Sequence, residues 1–122
     1  MPEQNKFGGK KMNVYDTVNK LAQEIKDSEE YKNFKKYKNL VKADTELENK
    51  MKQFEELRYE TQIAAMQGKK PEEDKEKELQ TVYTELLSKE NVKEYFDAEF
   101  KFNVLIADVN KIIGEAIQDV IQ

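Results

Sequence analysis

The chain has 122 residues, 38% of them charged, with a formal net charge of -4 and neither Cys nor His. Those two absences exclude disulfides, thiolate zinc and iron-sulfur sites, His-based metal sites, Cys or His nucleophiles and imidazole general bases. The length suits one domain, and six Tyr and six Phe spread through a chain of small net charge argue against disorder.

Residues 1–12 set an isolated Phe7 among Pro2, Gly8, Gly9 and three Lys, a composition that reads as a flexible tail rather than a binding motif. Residues 13–122 then form a single helical domain. Asn13 caps a first helix carrying Val14, Val18, Leu21 and Ile25, which ends near Asp27. Ser28 followed by Glu29 and Glu30 starts a second helix through Tyr31, Phe34, Tyr37 and Val41. A joint this short allows either a kinked pair or one bent helix.

Asp44 caps a third helix whose buried side is Leu47, Met51, Phe54, Thr61 and Ala65, thickened by Leu57 and Ala64. Gly68 can take the left-handed conformation past its end, and Pro71 suits the first turn of the next helix, so QGKKP is a hairpin turn. The fourth helix opens with Glu72, Glu73 and Asp74, buries Leu79, Val82, Tyr83, Leu86 and Leu87, and breaks between Ser88 and Asn91.

Tyr95 to Ile121 reads as one long helix with two apolar stripes. Tyr95, Ala98, Phe102, Leu105, Val109, Ile112 and Ala116 form the first, directed at the other helices. Phe96, Asn103, Ile106, Asn110, Ile113, Ile117 and Val120 form the second, the candidate oligomer interface. An Asn in an apolar seam can fix register, and the alternative is an Asn bonded within its own bundle. Gly114 marks either a close helix approach or a slight bend. A helix of about 30 residues spans about 45 Å, longer than the roughly 35 Å of a compact globule of this length. It should overhang, and a partner subunit is expected on the overhang. The fold class is therefore all-α: an elongated bundle of about five helices with an antiparallel helical hairpin and a long C-terminal helix.

Little in the chain points to catalysis. The acids of the third and last helices read as solvated faces, so neither metal nor cofactor is expected; Glu99 alone falls on an apolar stripe and needs a partner such as Arg58 or a tyrosine hydroxyl. Gly8-Gly9 and Gly68-Lys69 follow no strand and lack phosphate-cradling spacing, and Ser28 and Ser88 have no base to activate them. The second helix carries a basic patch, Lys32, Lys35, Lys36 and Lys42 beside Lys38, interleaved with Tyr31, Phe34 and Tyr37. A module binding RNA or an acidic partner is the alternative reading. The acidic whole favours aromatics facing the core and lysines facing water, and direct nucleic-acid binding is not expected. No apolar run approaches a membrane span, and MPEQNKFGGKKMN has no apolar segment of a secretory signal, so a cytoplasmic protein is expected.

The runs DSEEYKNFKKYKNLVKADTELENKMKQFEEL and ENVKEYFDAEFKFNVLIADVNKIIGEAI, with the Gly68-Lys69 hairpin between them, resemble the YlbF/YmcA family of small helical bacterial proteins, which includes the YheA group. The likeness spans Val14 to Ile121 and is most distinctive at Val109-Asn110-Lys111-Ile112-Ile113 after the Ala98-Glu99 pair; Thr45 stands where the family often has Pro. The resemblance implies an oligomeric, non-catalytic protein of Gram-positive-type bacteria, a regulator or adaptor acting through protein contacts. It further implies cell-fate control (competence, sporulation, biofilm), in some members through a complex that associates with an endoribonuclease and influences RNA processing. Certain members hold iron-sulfur clusters through cysteines. This chain has none, so the cofactor is not carried over and a cysteine-free homo-oligomer fits better.

Overall fold

The computed structural model describes residues 13–70 and 72–121, and every regular element among them is a helix. These are α1 (Val14–Asp27), α2 (Glu29–Lys42), α3 (Thr45–Met66), α4 (Glu73–Leu87), α5 (Val92–Ala116) and the short α6 (Gln118–Ile121). The expected tail at 1–12 and the first-turn role of Pro71 lie outside the described residues.

Local polar chemistry sets the boundaries. The Asn13 side chain accepts the Tyr15 N–H at 2.9 Å, Ser28 Oγ accepts that of Tyr31 at 3.2 Å, and Asp44 accepts that of Leu47 at 3.1 Å. Each satisfies a donor that the first turn of a helix leaves without a partner. Ser28 has extended backbone, with ψ 153°, and its hydroxyl also donates to the Ile25 carbonyl at 2.6 Å. That one residue resolves the first joint as a kinked pair of helices. At the far end of α3, Gly68 adopts φ +75° while its N–H donates to the Ala65 carbonyl and that of Lys69 to Ala64. This paired closure is a Schellman motif, and it needs a residue free to take positive φ. Asn91, at φ 71°, makes the corresponding left-handed step before α5.

Two antiparallel pairings follow. Lys50, Gln53 and Glu60 of α3 meet Glu85, Glu78 and Lys75 of α4, while Tyr31 and Phe34 of α2 pack edge-on or tilted against Phe102 and Tyr95 of α5. Where the pairs join, Val41, Leu47, Met51, Phe54, Leu57, Val82, Leu86, Val92 and Tyr95 form the core. Leu86 and Val92 are sealed completely, at 0% exposure.

The buried stripes are shorter than the periodicity predicts. Leu57 occupies the core, but Ala65 is exposed because α3 has by then run beyond the junction toward its hairpin tip. Leu87 is likewise exposed, lying one residue (about 100°) round α4 from Leu86. On α5, Tyr95 and Ala98 are buried, Phe102, Leu105 and Val109 half-buried, and Ile112 and Ala116 exposed. The predicted single C-terminal helix ends at Ala116, and Ile117, at φ -111°, separates it from α6. Gly114 lies just before this break, where its low helical preference weakens the last turn of α5. A Cβ added at Gly114 would meet nothing within 4 Å, so no close helix approach within the chain requires the glycine.

Truncating Leu86 to Ala should cost about 2–5 kcal/mol, because its cavity would lie between two helix pairs that cannot both collapse into it. Leu87→Ala should stay within about 1 kcal/mol. Urea unfolding of both variants measures the difference, and similar losses would contradict this placement of the core.

Candidate interaction surface

Beyond Val109, the apolar side chains of α5 lose their cover. Ile113 is 49% exposed, Ile117 42% and Val120 78%, and Val104, Ile112 and Ile121 are exposed beside them. Ile106 is half-buried. Asn103 and Asn110 are both exposed, so neither is an amide sequestered in the core of its own bundle. Phe96 stands apart from the residues grouped with it. It packs on Phe54 and Tyr83, with centroids 5.4 and 5.5 Å away, which makes it part of the internal core in this chain. Periodicity put it in the row correctly, but the α3–α4 pair covers only the N-terminal end of that row.

The basic patch also divides. Lys32, Lys35 and Lys36 line a shallow depression with Lys26, whereas Lys42 borders a separate groove with Lys38 and Lys52. All four predicted lysines are exposed. The interleaved aromatics turn inward: Phe34 and Tyr37 pack on the core and Tyr31 meets Phe102. The Lys36 and Lys38 ammonium groups lie 5.1 and 5.7 Å from the Tyr37 and Phe34 ring centres. Their stems therefore follow the aromatic surface while the charges stay in water.

The groove beside Lys42 was not legible in the sequence. About 700 Å³ in volume, it lies between α2, α3 and α5, floored by Phe34, Val41, Met51 and Tyr95 and rimmed by four cations and four carboxylates. Arg58 dominates one side, donating to both carboxylate oxygens of Glu99 at 3.4 and 3.3 Å and to Glu55 one turn before it. Its guanidinium lies 5.2 Å from the Phe54 ring centre. Burial lowers the Arg58 pKa, but the hydrogen bond and charge of Glu99, with Glu55, outweigh it and hold the pKa above its ordinary value. Glu99 thus has the partner its place on an apolar stripe demands. This arrangement ties α3 to α5 and pairs the Arg58 charge within the chain. Among the described residues, no group of three or more Asp or Glu is arranged to hold a metal ion, and no helix is long and apolar enough to cross a membrane.

A family model described as control of competence regulator ComK, YlbF/YmcA, matches residues 14–118. A UPF0342 protein of Desulfitobacterium hafniense is 39% identical over 110 residues, covering 90% of this chain and 89% of its own. Another from Lacticaseibacillus casei is 34% identical over 110 residues, covering 90% and 96%. A solved structure, a protein of unknown function (DUF964) from Bacillus stearothermophilus, superposes with a TM-score of 0.71 over 88% of this chain and 94% of its own; at 17% identity it speaks to the fold alone.

Tyr95 supplies a measurable consequence of the groove floor. Burial, then the charges of Glu99 and Glu55, push its phenol up to about 12, with Arg58 opposing. In the unfolded chain it titrates near 10, so between these values the folded state keeps a proton that the unfolded state releases, and stability falls as pH rises through that window. Wild type should lose about 1–2 kcal/mol more than Tyr95→Phe between about pH 9.5 and 11.5. Parallel unfolding curves across that range would show the phenol to be freely solvated.

Proposed function

The chain belongs to the family described as control of competence regulator ComK, YlbF/YmcA, and from that membership we propose that it is a cytoplasmic, non-catalytic regulator that acts through protein contacts. The observation that carries this reading is the exposed apolar surface of α5 and α6 after Val109. A helix whose N-terminal half is embedded in the core and whose C-terminal half presents isoleucines to water has an interface half-used. The absence of Cys and His adds support, since it removes the commonest nucleophiles and general bases from a protein with no other catalytic constellation in its sequence.

On this reading the chain is a homo-oligomer joined along Asn103, Ile106, Asn110, Ile113, Ile117 and Val120, and its assembled form is what a protein partner recognises. Asn103 and Asn110 lie seven residues apart on that face, where a shifted partner helix would leave their amides unsatisfied. The finer role follows the resemblance: an adaptor in cell-fate control linked to RNA processing. Light scattering after gel filtration at tens of micromolar should give a mass above that of one chain, and Ile113→Lys with Ile117→Lys should return it to the monomer with helicity retained. A wild-type monomer would remove the oligomer and with it the main support for the contact-based reading.

The shared depression of Lys26, Lys32, Lys35 and Lys36 supports a second reading, contact with RNA or an acidic protein surface. Salt-sensitive binding of a single-stranded RNA oligonucleotide, followed by fluorescence anisotropy and lost in Lys32→Gln with Lys35→Gln and Lys36→Gln, is its expected signature. Absence of binding at low salt would end the RNA form of it.

A further inference from the structure

The groove between α2, α3 and α5 carries polar groups that the fold itself leaves unused. Tyr95 is 6% exposed, yet its hydroxyl makes no hydrogen bond among the described residues. A buried phenol ordinarily finds a partner, because a sequestered donor without an acceptor costs free energy. Tyr95 lines the groove, so an acceptor lying there can meet it. Lys38, Lys42 and Lys52 also line it, and they form no ion pair among the described residues.

Charge is divided along the groove. Lys38, Lys42, Glu48 and Lys52 lie within about two turns of the α2–α3 joint, three cations against one carboxylate. Glu55, Glu56 and Glu99 lie at the far end with Arg58, whose guanidinium is already held by Glu55 and Glu99. The joint end is therefore electropositive and the far end electronegative, and the apolar floor runs beneath both.

We propose that this groove binds a small amphipathic monocarboxylate, its anionic head among Lys38, Lys42 and Lys52 and its alkyl or aryl body on Phe34, Met51 and Tyr95. The site is separate from the exposed surface of α5 and α6 and does not depend on the oligomer. Charge selects one anion and bars a second: a negative group at the far end would face three carboxylates around a cation that two of them already hold. An oxygen at the distal end of the body would accept the hydrogen bond that the Tyr95 hydroxyl lacks. The dimensions agree. Phe34 to Val41 spans about 10 Å of α2 and Glu48 to Arg58 about 15 Å of α3, room for a medium-chain acyl group or two fused aromatic rings. A volume of about 700 Å³ over an apolar floor with a few polar groups at its edge is typical of a site for a small molecule.

A naphthoate carrying a methoxy group on the ring edge opposite its carboxylate has the required length, single charge and distal oxygen. The full-length chain, isotope-labelled at its methionine methyl groups, would be titrated with it and followed by NMR. The Met51 signal should move, while that of Met66, 82% exposed at the end of α3, should stay in place. Plain naphthoate should bind several-fold more weakly, and Tyr95→Phe should abolish that difference. The dicarboxylate with its second carboxylate in the methoxy position should bind more weakly still. Lys42→Gln with Lys52→Gln, both at exposed positions, should weaken the methoxynaphthoate several-fold. An unmoved Met51 signal, a dicarboxylate bound as tightly as the monocarboxylate, or an affinity unchanged by the two lysine substitutions would overturn the proposal. A methoxy preference that is absent from the wild type or survives Tyr95→Phe would overturn it too. Met51 and Met66 moving together would show unspecific adsorption of aryl anions and overturn it as well.

Discussion

Tyr95 and Phe96 are neighbours in the chain, which on a helix sets their side chains about 100° apart, and the two rings engage different halves of the molecule. Tyr95 packs on Phe34 of α2, with centroids 5.6 Å apart, whereas Phe96 packs between Phe54 of α3 and Tyr83 of α4. The antiparallel pairs α2–α5 and α3–α4 are joined through this one turn of α5. Leu86 and Val92 are fully enclosed because they lie beneath the join, and Arg58 reinforces it from the side by holding Glu99 of α5 to Glu55 of its own helix. Apolar packing supplies most of the cohesion, since an ion pair left partly exposed contributes little by itself. The pair's value is geometric: it fixes the rotation of α5 that directs Phe96 inward.

A core concentrated at one junction leaves the ends of its helices uncovered. With 38% of its residues charged, the chain has few apolar side chains to distribute, and those in α2, α3 and α4 are largely consumed at the junction. The surplus lies on α1 and on α5 after Phe102, where exposed isoleucines and valines cluster. An arrangement of this kind is costly in water for a monomer, and association removes the cost.

The caps, the turns and the helical class are legible in the sequence because each depends on a few adjacent residues. Asn13, Ser28 and Asp44 cap from their own side chains, and Gly68 closes α3 with hydrogen bonds spanning a single turn. Glu99 is also legible in part: a carboxylate on an apolar row needs a partner, Arg58 or a tyrosine hydroxyl, and the fold supplies Arg58. The groove floored by Phe34, Met51 and Tyr95 is not, because α2 and α3 close it only with α5, which lies far from both in the chain. The exposure of Leu87, Ala65 and Ile112 likewise escapes periodicity, as does the inward turn of Phe96.

By itself, then, the sequence determined the helices, most of their ends, and which side chains share a face, since those follow from backbone chemistry and a 3.6-residue repeat. Tertiary structure alone decided how far along each face the cover extends. A periodic row is the same whether another helix lies opposite it or water does; only the crossing of α3–α4 over the first turns of α5 divides that row into a buried half and an exposed one.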